Sequence, residues 1–466
     1  MKKHLNNMII LALVLILVYQ TGKLWLEENM GRNFFYRLKT VVQGGPELSA
    51  EKSEEIPPEA VIAGYGDKLF YVLRDSESYS SVLEKAGGAL KELLNEGRFI
   101  SSGALDWDVL LASRSVIFKF PFLVSASEYA RWMGETGGIV ADKADRFDYF
   151  GVSVLSSGSS RVMMFFINSE AGEVYTFELE KNDTAADFYN AAEDLRAACQ
   201  GKLRHISTKQ SGLNIFPANT FVPQLTGGKY AYRKVAAENP FIHGGDVSPG
   251  LLESAVYPFF HNLSAMRSSI DQKTGTYVFS DEVNVAKYYN TGLLEYYSYE
   301  TAEGSADQSL ATALAACNEF LAQDPTLDTG LFFAGAELRT EGLVFYFDYQ
   351  VDDLPVVLSE DALAATGLTH AVEVTVKNNM VKKYRRYAYN FAVLPEAQGT
   401  ANVDFAAAMG DAIELMAGNS PVVQIEDLYL GYRAGGPDSE LGLSWFTEIG
   451  GKTFASPAYE EEALNP

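Results

Sequence analysis

Five histidines, two cysteines and an excess of acidic side chains are the groups this 466-residue chain could use for chemistry. His4, His205, His243, His261 and His370 never stand four residues apart, so the H-E-x-x-H pattern of a helical zinc site cannot be drawn. Ile449-Gly450-Gly451-Lys452-Thr453 ends like a phosphate-binding loop, but that loop requires glycine at position 446, where Phe446 stands. A Gly-Gly hairpin turn is the better reading. Gly64-Tyr65-Gly66 reads as a turn for the same reason. The Ser49 to Lys52 spacing of an acyl-transfer site falls in a polar stretch with no pocket to activate it. Asp106 with Asp108, and Asp352 with Asp353, fit turns and caps in a chain holding 61 acids. No catalytic, cofactor-binding or metal-ligating residue is assigned, no cofactor is expected, and the chain is read as non-enzymatic.

Cys199 and Cys317 each sit in an Ala-rich helical pattern. One long-range disulfide is open to them, but free buried thiols acting as small apolar side chains is the favoured reading.

A different feature draws the eye between residues 277 and 300, where Tyr277, Tyr288, Tyr289, Tyr296, Tyr297 and Tyr299 lie on two strands joined at Asn290-Thr291-Gly292. Strand alternation separates Tyr289, Tyr297 and Tyr299 from Tyr288 and Tyr296. One set is expected to pack in the core, and the other to form an amphipathic strip suited to docking. Further on, Lys382, Lys383, Arg385 and Arg386 concentrate positive charge. Alternation puts Lys383 and Arg385 on one face and Lys382 and Arg386 on the other. Because the second pair would otherwise cross a core, the strand is expected to be an edge guarded by charge. The functional alternative is a steering patch for an acidic partner, weakened by salt. Lys383, Arg385, Tyr297 and Tyr299 are the expected partner contacts of the folded part.

The elements that must carry these residues follow from periodicity. Hairpins are expected about Asp352-Asp353, Asn378-Asn379 and Gly450-Gly451. Helices are expected from Ser78 to Gly97, from a cap at Asp183 or Thr184 to Gln200, from Asp307 to Gln323 and from Asn402 to Ala417. The fold class is α+β, with mainly antiparallel sheets and packed helices. Five segments are expected: a membrane anchor at 1–26, a stalk at 27–58, an N-terminal α/β domain at 59–201, a middle domain at 202–325 and a C-terminal antiparallel α+β domain at 326–466. Loops rich in Pro and Gly after Lys202 suggest the first interdomain boundary.

Met8 to Tyr19 is apolar without a break. Adding Leu24, Trp25 and Leu26, with Lys23 snorkelling, brings the segment close to the ~20 residues of a transmembrane helix. No small-x-small cleavage site follows, which favours a retained anchor over a removed signal peptide. Lys2 and Lys3 on one side balance Lys23, Arg32, Arg37 and Lys39 on the other, so charge alone does not orient it. A short anchor before a long chain favours a single-pass protein of the cell membrane, with a cytoplasmic N-terminus and an extracytoplasmic body. Ile9, Leu13, Ile16 and Gln20 share one helical stripe, and Gln20 could bond across to another membrane helix. Beyond residue 26 the chain carries 34 basic against 61 acidic side chains. A body so acidic is repelled by nucleic acid and anionic lipid.

In order and texture these features resemble the YycH family, membrane-anchored accessory regulators of the YycG/YycF (WalK/WalR) two-component system. The residues that carry the likeness are the anchor end KLWLEEN, YVFSDEVNVAKYYNTGLLEYYS, FYFDYQVDDLPVV, VEVTVKNNMVKKY and the terminal LSWFTEIGGKTF. The strand-turn-strand units are similar to small PepSY-like modules. The resemblance implies a non-catalytic regulator of a sensor histidine kinase that governs cell-wall metabolism, working beside a YycI-like accessory protein through membrane-helix and ectodomain contacts. The rival reading is an extracytoplasmic module that binds a cell-wall ligand on aromatic side chains. A concave trough with converging carboxylates would favour that rival.

Overall fold

Asp75 starts the first long helix, Ser76–Glu96, by accepting from the backbone N–H of Glu77 at 3.2 Å. The helix ends at Gly97, where a Cβ would lie 2.5 Å from the Leu93 carbonyl oxygen. Between these ends Tyr79, Val82, Ala86, Leu90 and Leu93 recur at helical spacing and are buried. The stripe faces the second long helix, Asn182–Ala198, and the sheet beneath both. This second helix begins earlier than its expected cap. Lys181 holds the cap position without a side-chain bond, and Thr184 instead bonds to Glu92 of the first helix.

The structure is a computed structural model that describes residues 56–133, 138–301, 309–416, 424–435 and 440–459. The expected anchor, with Ile9, Leu13, Ile16 and Gln20, and nearly all of the expected stalk lie outside the described residues. Among the described residues no helix is long and apolar enough to cross a membrane. The chain from Ser53 onward forms one compact unit.

Among the described residues a nine-stranded antiparallel sheet organises the N-terminal half. Its order runs from Arg98–Ala104 through Glu173–Glu180, Arg161–Asn168, Arg146–Ser153, Ser115–Ser125, Ala60–Gly64 and Phe70–Leu73 to Arg204–Ser207 and Phe221–Gln224. Val61 and Ala63 join Phe118, Phe150, Phe166 and Phe177 under the two long helices. Ile62, Ile117, Tyr149 and Ile167 form a smaller core on the opposite face around Trp107. The period of two therefore buries both faces.

Among the described residues a twelve-stranded sheet organises the rest. Arg267–Asp271, Thr276–Ser280, Asn284–Tyr288 and Leu293–Ser298 make a meander that pairs with Met380–Tyr387. Val372–Lys377, Gly342–Val351, Leu354–Leu358, Asp427–Ala434, Leu443–Ile449 and Lys452–Pro457 continue it, and Leu331–Arg339 pairs with Gly342–Val351. Pairing is antiparallel except between Leu354–Leu358 and Asp427–Ala434. Helices Leu310–Leu321 and Phe405–Met416 pack on this sheet, and Asn390–Ala401, Tyr230–Glu238 and Glu440–Leu441 form a third sheet. The expected turns sit at positive φ: Asp352 and Asp353 at 53° and 63°, Asn378 and Asn379 at 53° and 55°. Cys199 and Cys317 are both buried, and they are not joined in a disulfide.

The α+β class and its antiparallel pairing are thus observed, while one segment's arrangement and two boundaries differ from expectation. Among the described residues, the segment 59–201 holds an antiparallel sheet rather than an α/β arrangement. That sheet runs past residue 202, because Arg204–Ser207 and Phe221–Gln224 complete it. The expected middle segment has no sheet of its own, since its meander pairs with Met380–Tyr387 across the proposed boundary at 326.

Candidate functional site

The tyrosine strands split as alternation requires. Tyr288 and Tyr296 are buried, Tyr289 and Tyr297 are half-buried, and Tyr299 is 69% exposed. On the inner face the Tyr288 hydroxyl accepts from Asn239 at 2.8 Å, and the Tyr296 ring packs at tilted and edge-on angles among Phe259, Phe260 and Phe320. These phenols fill the core.

Met380–Tyr387 corrects the edge-strand expectation. It lies inside the sheet, between Leu293–Ser298 and Val372–Lys377. The inner-face cation that would have been excluded from a core is instead built into it. Arg386 is fully buried and donates to Asp324 Oδ2 at 2.8 Å, to the Tyr349 hydroxyl at 3.1 Å and to the Thr326 carbonyl at 2.9 Å. Asn390 Oδ1 and Thr326 Oγ1 take two further contacts, so every nitrogen of the guanidinium has a partner.

On the outer face Arg385 lies opposite Glu295 on one neighbouring strand and Glu373 on the other. Its guanidinium reaches Glu295 at 3.0 Å and Glu373 at 3.1 Å, and also donates to the carbonyls of Gly367 and Thr366. Tyr289 donates to Glu295 at 2.9 Å. Lys383 stands opposite Tyr297, with its ammonium 5.6 Å from the ring centroid. Burial, followed by repulsion from Glu295, pushes the Tyr297 hydroxyl up to about 12. The expected contacts Lys383, Arg385 and Tyr297 are therefore brought together on one face. Tyr299 follows just beyond Leu293–Ser298 and is open to solvent. Arg385, however, is spent on internal pairing, and its charge is matched by carboxylates rather than offered as a steering field.

Sequence reading missed a cleft between the two large sheets. A cavity of about 890 Å³ is lined by Glu59 and Lys119 from the N-terminal sheet and by Asp348, His370, Asp427 and Glu448 from the other. Asp427 and Glu448 oppose each other on neighbouring strands. Burial raises both carboxyls, while the ammonium of Lys119 pulls both back. Lys119 is itself paired with Glu59 at 3.1 Å, and Tyr429 bonds Glu448 at 3.2 Å. No spacing in the sequence signals this cluster, because its members come from strands several hundred residues apart. Among the described residues no group of His, Cys, Asp and Glu is arranged to hold a metal ion.

His370 in the same cleft lies 2.8 Å from Asp348. Burial alone would lower its pKa, but the hydrogen bond and charge of Asp348 outweigh burial and raise it. A raised folded value means the folded state holds the proton more tightly. The stabilising contribution is complete below the ordinary histidine value of about 6.5 and is lost as pH rises through the folded value. Asp348→Asn is expected to move the His370 ring titration to lower pH, followed by NMR, and to flatten stability across that window. An unmoved titration would show that the pair does not set it.

Neither a family model nor a curated relative matches the sequence. The fold does find a counterpart, in the crystal structure of YycH from Bacillus subtilis. The match has a TM-score of 0.53 at 11% identity and covers 87% of this chain and 96% of that one. The chain has the YycH fold. The match spans nearly all of YycH, so the likeness includes both large sheets and not one module. A second solved structure, an uncharacterized protein from Eubacterium rectale, aligns with a TM-score of 0.32 at 11% identity, over 51% of this chain and 86% of that one.

Proposed function

We propose that the chain is a membrane-anchored, non-catalytic regulator of a sensor histidine kinase of the YycG (WalK) type, acting with a YycI-like partner in the control of cell-wall metabolism. The observation that carries this reading is the YycH fold over nearly the whole length of YycH. In this reading the N-terminal segment is a single-pass anchor in the cell membrane, with the folded body outside. Its stripe of Ile9, Leu13, Ile16 and Gln20 meets the membrane helices of the kinase. The strand-turn-strand units of the twelve-stranded sheet serve as PepSY-like modules. Their outer face, with Tyr297, Tyr299 and Lys383, supplies the ectodomain contact, while Arg385 holds that face flat by tying three strands together.

Affinity purification of the tagged full chain from detergent-solubilised membranes tests the reading. The kinase is expected to co-purify, and Gln20→Leu is expected to reduce its yield several-fold. A photo-crosslinker at Tyr299 should capture the kinase ectodomain. A mature chain that begins after Gln20, or purification without any kinase, would overturn the reading. The rival reading, an extracytoplasmic ligand-binding module, is favoured by a specific observation, the charged cleft between the sheets.

A further inference from the structure

The outer strand of a sheet leaves a row of backbone N–H and C=O groups unpaired, and proteins usually guard such an edge with a lysine, a proline or a bulge. Among the described residues the two large sheets end in four strands: Arg98–Ala104 and Phe221–Gln224 in the first, Arg267–Asp271 and Lys452–Pro457 in the second. Three of them carry such a guard. Arg98–Ala104 is bulged between Phe99 and Ser101, Phe221–Gln224 contains Pro223, and Lys452–Pro457 begins with lysine and ends with proline.

Arg267–Asp271 carries none of the three. It reads Arg-Ser-Ser-Ile-Asp, and its register with Thr276–Ser280 runs without a break from Arg267 opposite Ser280 to Asp271 opposite Thr276. All of its residues are exposed, and among the described residues no strand pairs with its other side. Ile270 lies opposite Tyr277, on the face that the buried Phe279 shares, yet it is 44% exposed. The apolar face of the sheet therefore runs out to an uncovered edge.

The charges on the strand define what fits that edge. Arg267 and Asp271 stand two residues either side of Ser269, on the face away from Ile270. Arg267 has no ion pair among the described residues, and Asp271 accepts from the Lys273 backbone N–H at 2.9 Å. When two copies of this strand meet antiparallel about Ser269, Arg267 of each lies opposite Asp271 of the other. Ser269 then lies opposite itself, and Ser268 opposite Ile270, with the two Ile270 side chains as diagonal neighbours on the core-side face. Parallel pairing in register would set like charges together. A slip of one residue would leave each charge opposite serine or isoleucine and turn the apolar faces to opposite sides.

We propose that Arg267–Asp271 is a self-association edge, on which a second copy of the chain pairs antiparallel about Ser269 and joins two twelve-stranded sheets across a two-fold axis. The contact is small beside a standard interface of about 1,600 Å², and the net charge of −24 on each copy opposes it, so the dimer is weak and reversible. The inference does not depend on a kinase partner.

Oxidative cysteine cross-linking of the full chain in detergent traps such a dimer and reads its register. Directly opposed residues of antiparallel strands have Cα atoms about 4.5–5.5 Å apart, within disulfide range, whereas diagonal neighbours at about 7–8 Å are outside it. Ser269→Cys is expected to give at least tenfold more disulfide-linked dimer than the parent chain, whose Cys199 and Cys317 are buried. Ser268→Cys alone and Ile270→Cys alone are expected to stay near the parent level, and their mixture to cross-link. In the Ser269→Cys background, Arg267→Asp or Asp271→Arg alone sets like charges together and is expected to cut the yield at least fivefold. Mixing those two variants sets opposite charges at both ends of the junction and is expected to restore the yield, which a merely structural effect of either substitution would not do. If Asp271→Arg loosens the turn, the register of cross-linking in the chain with native charges decides. No dimer through Ser269→Cys, equal dimer through Ser268→Cys, or an adduct of Ser269→Cys with a different protein would each overturn the proposal.

Discussion

Arg386→Leu is expected to destabilise the protein by about 3–5 kcal/mol, the usual cost of stranding one half of a buried ion pair. Asp324 is the half left behind. It is 1% exposed at its side chain and would keep the Tyr384 hydroxyl and the Thr326 donors, but it would lose its cation partner Arg386. Asp324→Leu should cost a comparable amount by stranding the guanidinium instead. The double variant is expected to recover part of the loss, because replacing both charges removes the desolvation penalty along with the attraction. Recovery will be incomplete, since the hydroxyls of Tyr384 and Tyr349 lose partners in the same cluster. Urea titration of the full chain in detergent measures all three. Strictly additive losses would show that Arg386 and Asp324 do not act as a pair.

The same cluster shows where sequence reading stops. Alternation along Met380–Tyr387 was legible, and so was the conclusion that Lys382 and Arg386 would share a face. What a strand pattern cannot show is a counter-charge from another part of the chain. Asp324 lies at the end of helix Leu310–Leu321, 62 residues before Arg386, and only the packing of that helix on the sheet brings the two together. Without that partner the safe inference was an edge strand, and it failed. The outer face failed in a related way. Lys383 and Arg385 do project together, but register places Glu295 and Glu373 on either side of Arg385, and register between strands far apart in sequence is not written in either strand.

Local chemistry was read more successfully because its causes are local. Asp352-Asp353, Asn378-Asn379 and Gly450-Gly451 form turns because those residue types tolerate positive φ. The tyrosines divide between faces because side chains alternate. By contrast, the cleft between the sheets is assembled by strands from each end of the chain, and no motif or spacing announces it. Domain boundaries were misjudged for a similar reason. Pro- and Gly-rich loops mark where the chain is irregular, but Arg204–Ser207 and Phe221–Gln224 cross that irregular stretch to complete the first sheet.

Asp353→Ala is expected to cost about 2–4 kcal/mol, although the residue reads in the sequence as half of an ordinary turn. Three losses add. Ala at φ 63° is strained where Asp is tolerated. The ion pair with Lys202 disappears, and it is partly shielded, with side-chain exposures of 33% and 12%. Finally, the backbone N–H groups of Arg74 and Asp75 lose the carboxylate oxygen that accepts from them at 3.3 and 3.0 Å. These bonds fasten the hairpin tip of the second sheet to the segment that leads from strand Phe70–Leu73 into the first long helix. Hydrogen exchange at the Arg74 and Asp75 amides should accelerate along with the fall in stability. Asp353→Asn separates the contributions. It keeps the tolerance of positive φ and one acceptor oxygen but gives up the charge, so it should lose about 1 kcal/mol and leave exchange at the two amides nearly unchanged. If Asp353→Ala and Asp353→Asn behave alike, the charge alone matters and the backbone bonds do not fasten the sheets. If neither alters stability or exchange, the contact between the sheets rests on their apolar faces, and the turn is only a turn.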